Sequence, residues 1–125
     1  MDERGTKLPD ARSTPRYAGL VTFGRYPLAE NTTKPDWAIY GVPYDGGVSY
    51  RPGARFGPRA IREQSQYLKR YHLEHDIDVC AWLSLADAGD APVRPYSAKE
   101  HLDGVTDFAE NIGERSHTRL MALGG

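Results

Sequence analysis

An alternation narrows what this chain can fold into. Short apolar runs at 37–42, 82–86 and 119–123 are separated by two longer stretches with helical spacing. Runs this short, built from β-branched and aromatic residues and closed by Pro43, by Asp87 to Asp90 and by Gly124, read as buried strands. The first separating stretch, 58–72, places Pro58 where a helix start favours it, with Ile61, Ser65, Leu68 and His72 on one stripe. In the second, Ser97 and Glu100 form a Ser-x-x-Glu capping box, so a helix should begin at about Ala98. Leu102, Val105, Phe108, Ala109 and Ile112 give that helix an apolar face. Gly104 within it costs about 1 kcal/mol against alanine, so the helix needs packing. Strands joined by helical crossovers lie parallel, with the helices on the sheet faces. The expected class is α/β, with about three parallel strands.

The remaining segments fit around that frame. Residues 1–16 are polar, contain proline and lack periodicity, which predicts a mobile arm. Residues 17–35 mix aromatics with Gly and Pro, as an irregular segment lying on a body would. The 17–125 portion then forms one unit, with no internal repeat. A balance of 16 basic against 17 acidic residues gives no electrostatic case for nucleic acid or a membrane surface. No stretch approaches the ~18 apolar residues of a membrane span. The charged start has no apolar core of a secretory signal, and Cys80 stands alone, so the reading is cytoplasmic.

Ligands of parallel sheets bind beyond the carboxyl ends of the strands. The loops after Val42 and Ala86, and the one that should follow Leu123, are therefore where chemistry is sought. The loop "PYDGGVSYRPGARF" is long for a compact domain, and such loops are usually functional or disordered. Gly46 and Gly47 permit unusual backbone angles, while Pro43, Pro52 and Pro58 restrict the rest, which argues against disorder. Arg51, Arg55, Arg59 and Arg62 crowd the loop and the helix start. They could bind an anion at the helix N-terminus, or pair with Asp45, Asp87 or Asp90 and brace the loops; the second reading is favoured. No Gly-x-Gly-x-x-Gly or Walker lysine is present.

The run Gly41 to Glu63 contains Gly-Val-Pro-aromatic-Asp-Gly-Gly, a hydroxyl residue, Arg-Pro-Gly-Ala-Arg-aromatic-Gly-Pro and Ile-Arg. It strongly resembles the N-terminal signature of the ureohydrolase (arginase/agmatinase) superfamily, in its agmatinase-like branch. Asp87, Gly89 and Asp90 match the family's Asp-x-Gly-Asp turn, and residues 15–27 resemble its Gly-x-x-Thr-Phe segment. The resemblance covers about residues 15–125. It implies the N-terminal portion of a three-layer α/β/α, arginase-like fold. It further implies a hydrolase with two bridged Mn²⁺ ions, whose hydroxide attacks the guanidinium carbon of a small guanidino substrate, agmatine first, releasing urea. Paired hard cations supply such a nucleophile at neutral pH. Family members assemble as homo-oligomers.

In the family, the metal ligands are Asp and His from three motifs, the first being Gly-Gly-Asp-His at the end of the third strand. This sequence ends at Gly124-Gly125, before that motif, so the expectation is a piece with no metal ligand and no catalytic residue, inactive alone. Other residues do not replace the missing set. His72 and His75, flanking Glu74, read as solvent-exposed at a helix end; His101 and His117 read as exposed too. Asp87 and Asp90 sit at a strand end suited to acid–base work, but a structural role is preferred. Cys80 lacks a basic partner in sequence beyond these histidines, which disfavours a catalytic thiol. Tyr44, Asp45, Ser49 and Tyr50 could border the site's mouth, touching substrate or a second subunit, with no single one chosen. The alternative is a non-catalytic module for subunit interaction or anion binding.

Overall fold

The computed structural model describes residues 5–125. In chain order the elements are β1 (Trp37–Val42), α1 (Gly57–Ser65), β2 (Tyr71–His72), β3 (Ile77–Asp78), α2 (Val79–Trp82), β4 (Leu85–Asp90), α3 (Ala98–Ser116) and β5 (Arg119–Gly124). The sheet is parallel, as the alternation requires, and its strand order is β4–β1–β5. β2 and β3 form a separate two-residue antiparallel pairing.

β1 is the central strand, and Ala38, Ile39, Tyr40 and Gly41 are all buried. Its alternation decides the layering. The Tyr40 ring lies 5.7 Å from Phe108 of α3. The next residue, Gly41, faces Pro58 of α1, since a Cβ there would come within 2.9 Å of the Pro58 Cβ. Neighbouring residues of a strand point to opposite faces, so α1 and α3 cover opposite faces of the sheet. Crossover handedness gives the same answer: β1 to β4 and β4 to β5 step in opposite directions, and right-handed connections then place their helices on opposite sides. The result is the three-layer α/β/α arrangement.

Three sequence expectations need correction. First, α1 stops at Ser65 instead of running to His72. The Ser65 hydroxyl donates to the Arg62 carbonyl at 2.6 Å, and the Gln66 amide donates to the same oxygen at 2.9 Å. Side chains thus take the acceptor that the helix would use to continue. The buried stripe is Pro58, Arg62 and Ser65, whereas Ile61 and Leu68 stay exposed. Second, the next strand of the sheet runs Leu85–Asp90 and not 82–86, so Asp87 to Asp90 continue it rather than end it. Asp78 accepts from the Ala81 amide and caps α2, which draws Trp82 into a short helix and leaves it exposed. Third, α3 starts as expected, with the Ser97 hydroxyl accepting from the Glu100 amide at 3.2 Å, but Leu102 faces outward and His101 faces inward.

The irregular N-terminal stretch flanks β4. Within the segment read as an arm, Thr6 is buried; its hydroxyl donates to the Leu83 carbonyl at 2.7 Å and accepts from the Leu85 amide at 2.9 Å. Farther along, the Asp87 amide donates to the Pro27 carbonyl at 2.9 Å. On the other side, β5 is largely exposed, with only Leu123 of its residues buried.

Candidate functional site

Because α1 and α3 lie on opposite faces, the chain leaves β1 and β4 in opposite directions. A crevice opens at their carboxyl ends, where parallel sheets bind ligands. A small cavity of about 90 Å³ lies there, walled by Tyr44, Asp45, Gly46 and Arg55 from one loop and by Val93 and Pro95 from the other. The end of β5 adjoins it. A Cβ at Gly57 would stand 2.6 Å from the Gly124 carbonyl oxygen, and one at Gly125 would collide with Ala54. The loop base, the start of α1 and the end of β5 therefore form one seam that admits no side chain at these glycines.

Two arginine–aspartate pairs build the site's frame. In the loop, Asp45 accepts from the Gly53 amide at 2.7 Å, the Arg55 amide at 3.1 Å and the Arg55 Nε at 2.9 Å. The Arg55 guanidinium, then the Gly53 amide, hold the Asp45 carboxyl down at about 2. Its oxygens are thus committed inside the loop and are not presented to a substrate.

Behind the loop, Arg62 grips Asp87 with two parallel bonds, Nε to Oδ2 at 2.8 Å and Nη2 to Oδ1 at 3.0 Å. Its Nη1 also donates to Asp90 at 2.6 Å. Asp87 further accepts from the Phe23 amide at 2.7 Å and the Gly89 amide at 2.8 Å. Four donors on one buried carboxylate tie α1, β4 and the N-terminal stretch together. Gly41 makes room for this, since any Cβ there would run into the Asp90 carboxylate.

Of the crowded arginines, Arg55 and Arg62 therefore brace the loops. Arg51 lies over the Tyr50 ring at 5.1 Å, and Arg59 is exposed. Ser49 and Tyr50 project from the loop tip into solvent, whereas Tyr44 turns inward. The Tyr44 ring stacks on His101 with centroids 4.0 Å apart.

His101 is the residue the sequence reading misplaced. It is 1% exposed, its Nδ1 accepts from the Arg94 amide at 3.3 Å, and its Nε2 has no partner among the described residues. The signal was present: positions 101, 105, 108 and 112 share a helical face, and the imidazole fills the first of them.

The remaining candidates lie apart from the crevice. His72 and His75 face one another on the β2–β3 hairpin rather than on a helix, with their Nδ1 atoms 3.2 Å apart. His117 is exposed and caps α3 with φ 55°. Cys80 is buried in α2, and burial pushes its thiol up, away from the thiolate form. Among the described residues no group of three or more His, Cys, Asp or Glu side chains could hold a metal ion. No described helix is long and apolar enough to cross a membrane.

These features define an α/β protein whose candidate site sits at the carboxyl edge of a parallel sheet. Residues 35–125 match the model of the Arginase family, and the chain belongs to that family. It is 54% identical over 91 residues to an agmatinase of Pyrococcus horikoshii, covering 72% of this chain and 31% of that one. It is 38% identical over 103 residues to the proclavaminate amidinohydrolase of Streptomyces clavuligerus, covering 77% and 33%. The solved structure of that amidinohydrolase superposes with a TM-score of 0.80 at 32% identity, over 90% of this chain and 38% of the other. A Trypanosoma cruzi formiminoglutamase solved with Mn²⁺ gives a TM-score of 0.61 at 30% identity, over 73% and 31%. The chain spans about a third of the length of the curated relatives it matches.

Proposed function

We propose that this chain is the N-terminal part of a manganese-dependent amidinohydrolase that cleaves a small guanidino compound, agmatine first, to an amine and urea. The observation that carries the reading is the Arginase-family match across residues 35–125, which includes the braced loop and the seam at Gly124. The 54% identity to an agmatinase favours agmatine among guanidino substrates. The Mn²⁺-containing relative supports the metal.

The residues described do not make a manganese site, so no step of the reaction is placed on them. Their part is to build one wall of the crevice. The Asp45–Arg55 loop and the Arg62–Asp87 anchor hold the carboxyl ends of β1 and β4 in register. The metal ligands belong to the segment that follows the glycines of β5, and the working enzyme is a cytoplasmic homo-oligomer. Two measurements test this. The 125-residue chain with Mn²⁺ and agmatine should release no urea. A chimera carrying the C-terminal two-thirds of the Pyrococcus horikoshii agmatinase after Gly125 should release it, faster from agmatine than from arginine. Turnover by the short chain, or a folded chimera that binds Mn²⁺ yet leaves agmatine intact, would overturn the proposal.

A further inference from the structure

The N-terminal stretch forms an open cavity of about 370 Å³ beside the β4 edge of the sheet, and the amidinohydrolase reading leaves it unused. Its charged lining residues are Lys7 and Arg25; no Asp or Glu among the described residues lines it. Leu8, Leu20 and Leu28 supply apolar wall, and Asn31 adds an amide.

Arg25 is placed there at a conformational cost. Its φ is 64° and that of the preceding Gly24 is 59°, two successive left-handed residues of which only one is glycine. The turn is held from outside: the Phe23 amide donates to Asp87, and the Gly24 amide donates to the Ser65 hydroxyl at 2.8 Å. The Gln66 side-chain Nε2 donates to the Thr22 carbonyl at 2.6 Å. Arg25 is 9% exposed, and one of its donors reaches the Thr14 carbonyl at 2.6 Å. No carboxylate pairs with it among the described residues. A buried guanidinium normally has an ionised partner, because taking the charge out of water is otherwise unfavourable. Burial pushes the Tyr26 phenol above its usual value, so that ring stays neutral and supplies no counter-charge.

We infer that this cavity is a binding site for a compact carboxylate with an apolar tail, its head between Arg25 and Lys7 and its tail against Leu8, Leu20 and Leu28. The planar guanidinium matches a carboxylate, and the apolar walls set such a ligand apart from inorganic phosphate. Two cations without an acid repel a guanidinium, so the site is separate from one for guanidino substrates and does not rest on that reading.

Titration of the ¹⁵N-labelled 125-residue chain tests the inference through amide shifts, with no activity involved. Hexanoate should give saturable shifts at roughly 1–10 mM, centred on Lys7, Thr14, Arg25 and Asn31. Hexylammonium should give none, and inorganic phosphate should shift these amides at least threefold more weakly. Arg25→Met should abolish the hexanoate shifts. Lys7→Met alters an exposed side chain, keeps the test valid if Arg25→Met does not fold, and should weaken binding at least threefold. Absence of saturable hexanoate shifts, equal response to hexylammonium or phosphate, or an unaltered titration in folded Lys7→Met would each overturn the assignment.

Discussion

Arg62 and Arg55 both hold aspartates, but they do so in different places and with different geometry. Arg62 meets Asp87 as a fork, each carboxylate oxygen receiving its own nitrogen, with the side chains 11% and 2% exposed. Arg55 brings its Nε and Nη2 to a single oxygen of Asp45, and its own side chain is 57% exposed. The first pair joins elements far apart in sequence, and the second closes a loop upon itself. Losing the first should therefore loosen the fold, and losing the second should loosen the mouth of the site.

The largest expected effect is on the buried pair. Asp87→Ala removes both fork bonds, leaving Arg62 only Asp90 and the Gly89 carbonyl, and frees the Phe23 amide; it should cost about 3 kcal/mol in urea denaturation, the lower end for a broken buried pair. A loss similar to that of an exposed ion pair would erase the distinction. Gly41→Ala pushes a methyl group against the Asp90 carboxylate and Pro58, with an expected cost of about 1–3 kcal/mol. Ser97→Ala removes the α3 cap at a distance from both pairs and should cost about 1 kcal/mol, a scale against which the other two can be read.

The loop pair should show little in global unfolding and much in local exchange. Asp45→Asn should speed hydrogen exchange of the Gly53 and Arg55 amides at least tenfold while leaving the urea midpoint nearly unmoved. The pH dependence follows from the depressed Asp45 value. A carboxyl lowered from its ordinary range to about 2 contributes fully above about pH 4, and its contribution fades as pH falls toward 2. Protection of the Gly53 and Arg55 amides should fall across that window. Protection that holds below pH 2 would show that the carboxylate is not what closes the loop.

Periodicity and turn chemistry make the parallel strands, the α3 cap and the braced loop legible in the sequence, but not the strand order. Two of the misplacements share a physical origin, a polar group whose partner is distant in the chain. Arg62 reads as surface until Asp87 is set opposite it, so the buried stripe of α1 was drawn through Ile61 instead. His101 reads as surface until Tyr44 is folded over it. The third is local: the strand expected over 82–86 lies at Leu85–Asp90, because Asp78 caps a short helix that takes in Trp82. At the site, the loop's role in bracing was visible from its Gly, Pro and Arg content. The cavity beside β4 was not, because it is assembled from Lys7, Thr14 and residues 20–31, which share no period.

The glycine seam has a consequence for anyone who would re-engineer this loop. Its base is frozen: Gly57 and Gly125 abut backbone atoms, and substitution there displaces main chain. Its tip is open, for a Cβ at Gly47 meets no atom within 4 Å, and residues 47–51 are exposed. Libraries that randomise 47–51 and leave the seam alone should keep most of their members folded, and an insertion at the tip should be tolerated where a single methyl group at the base is not.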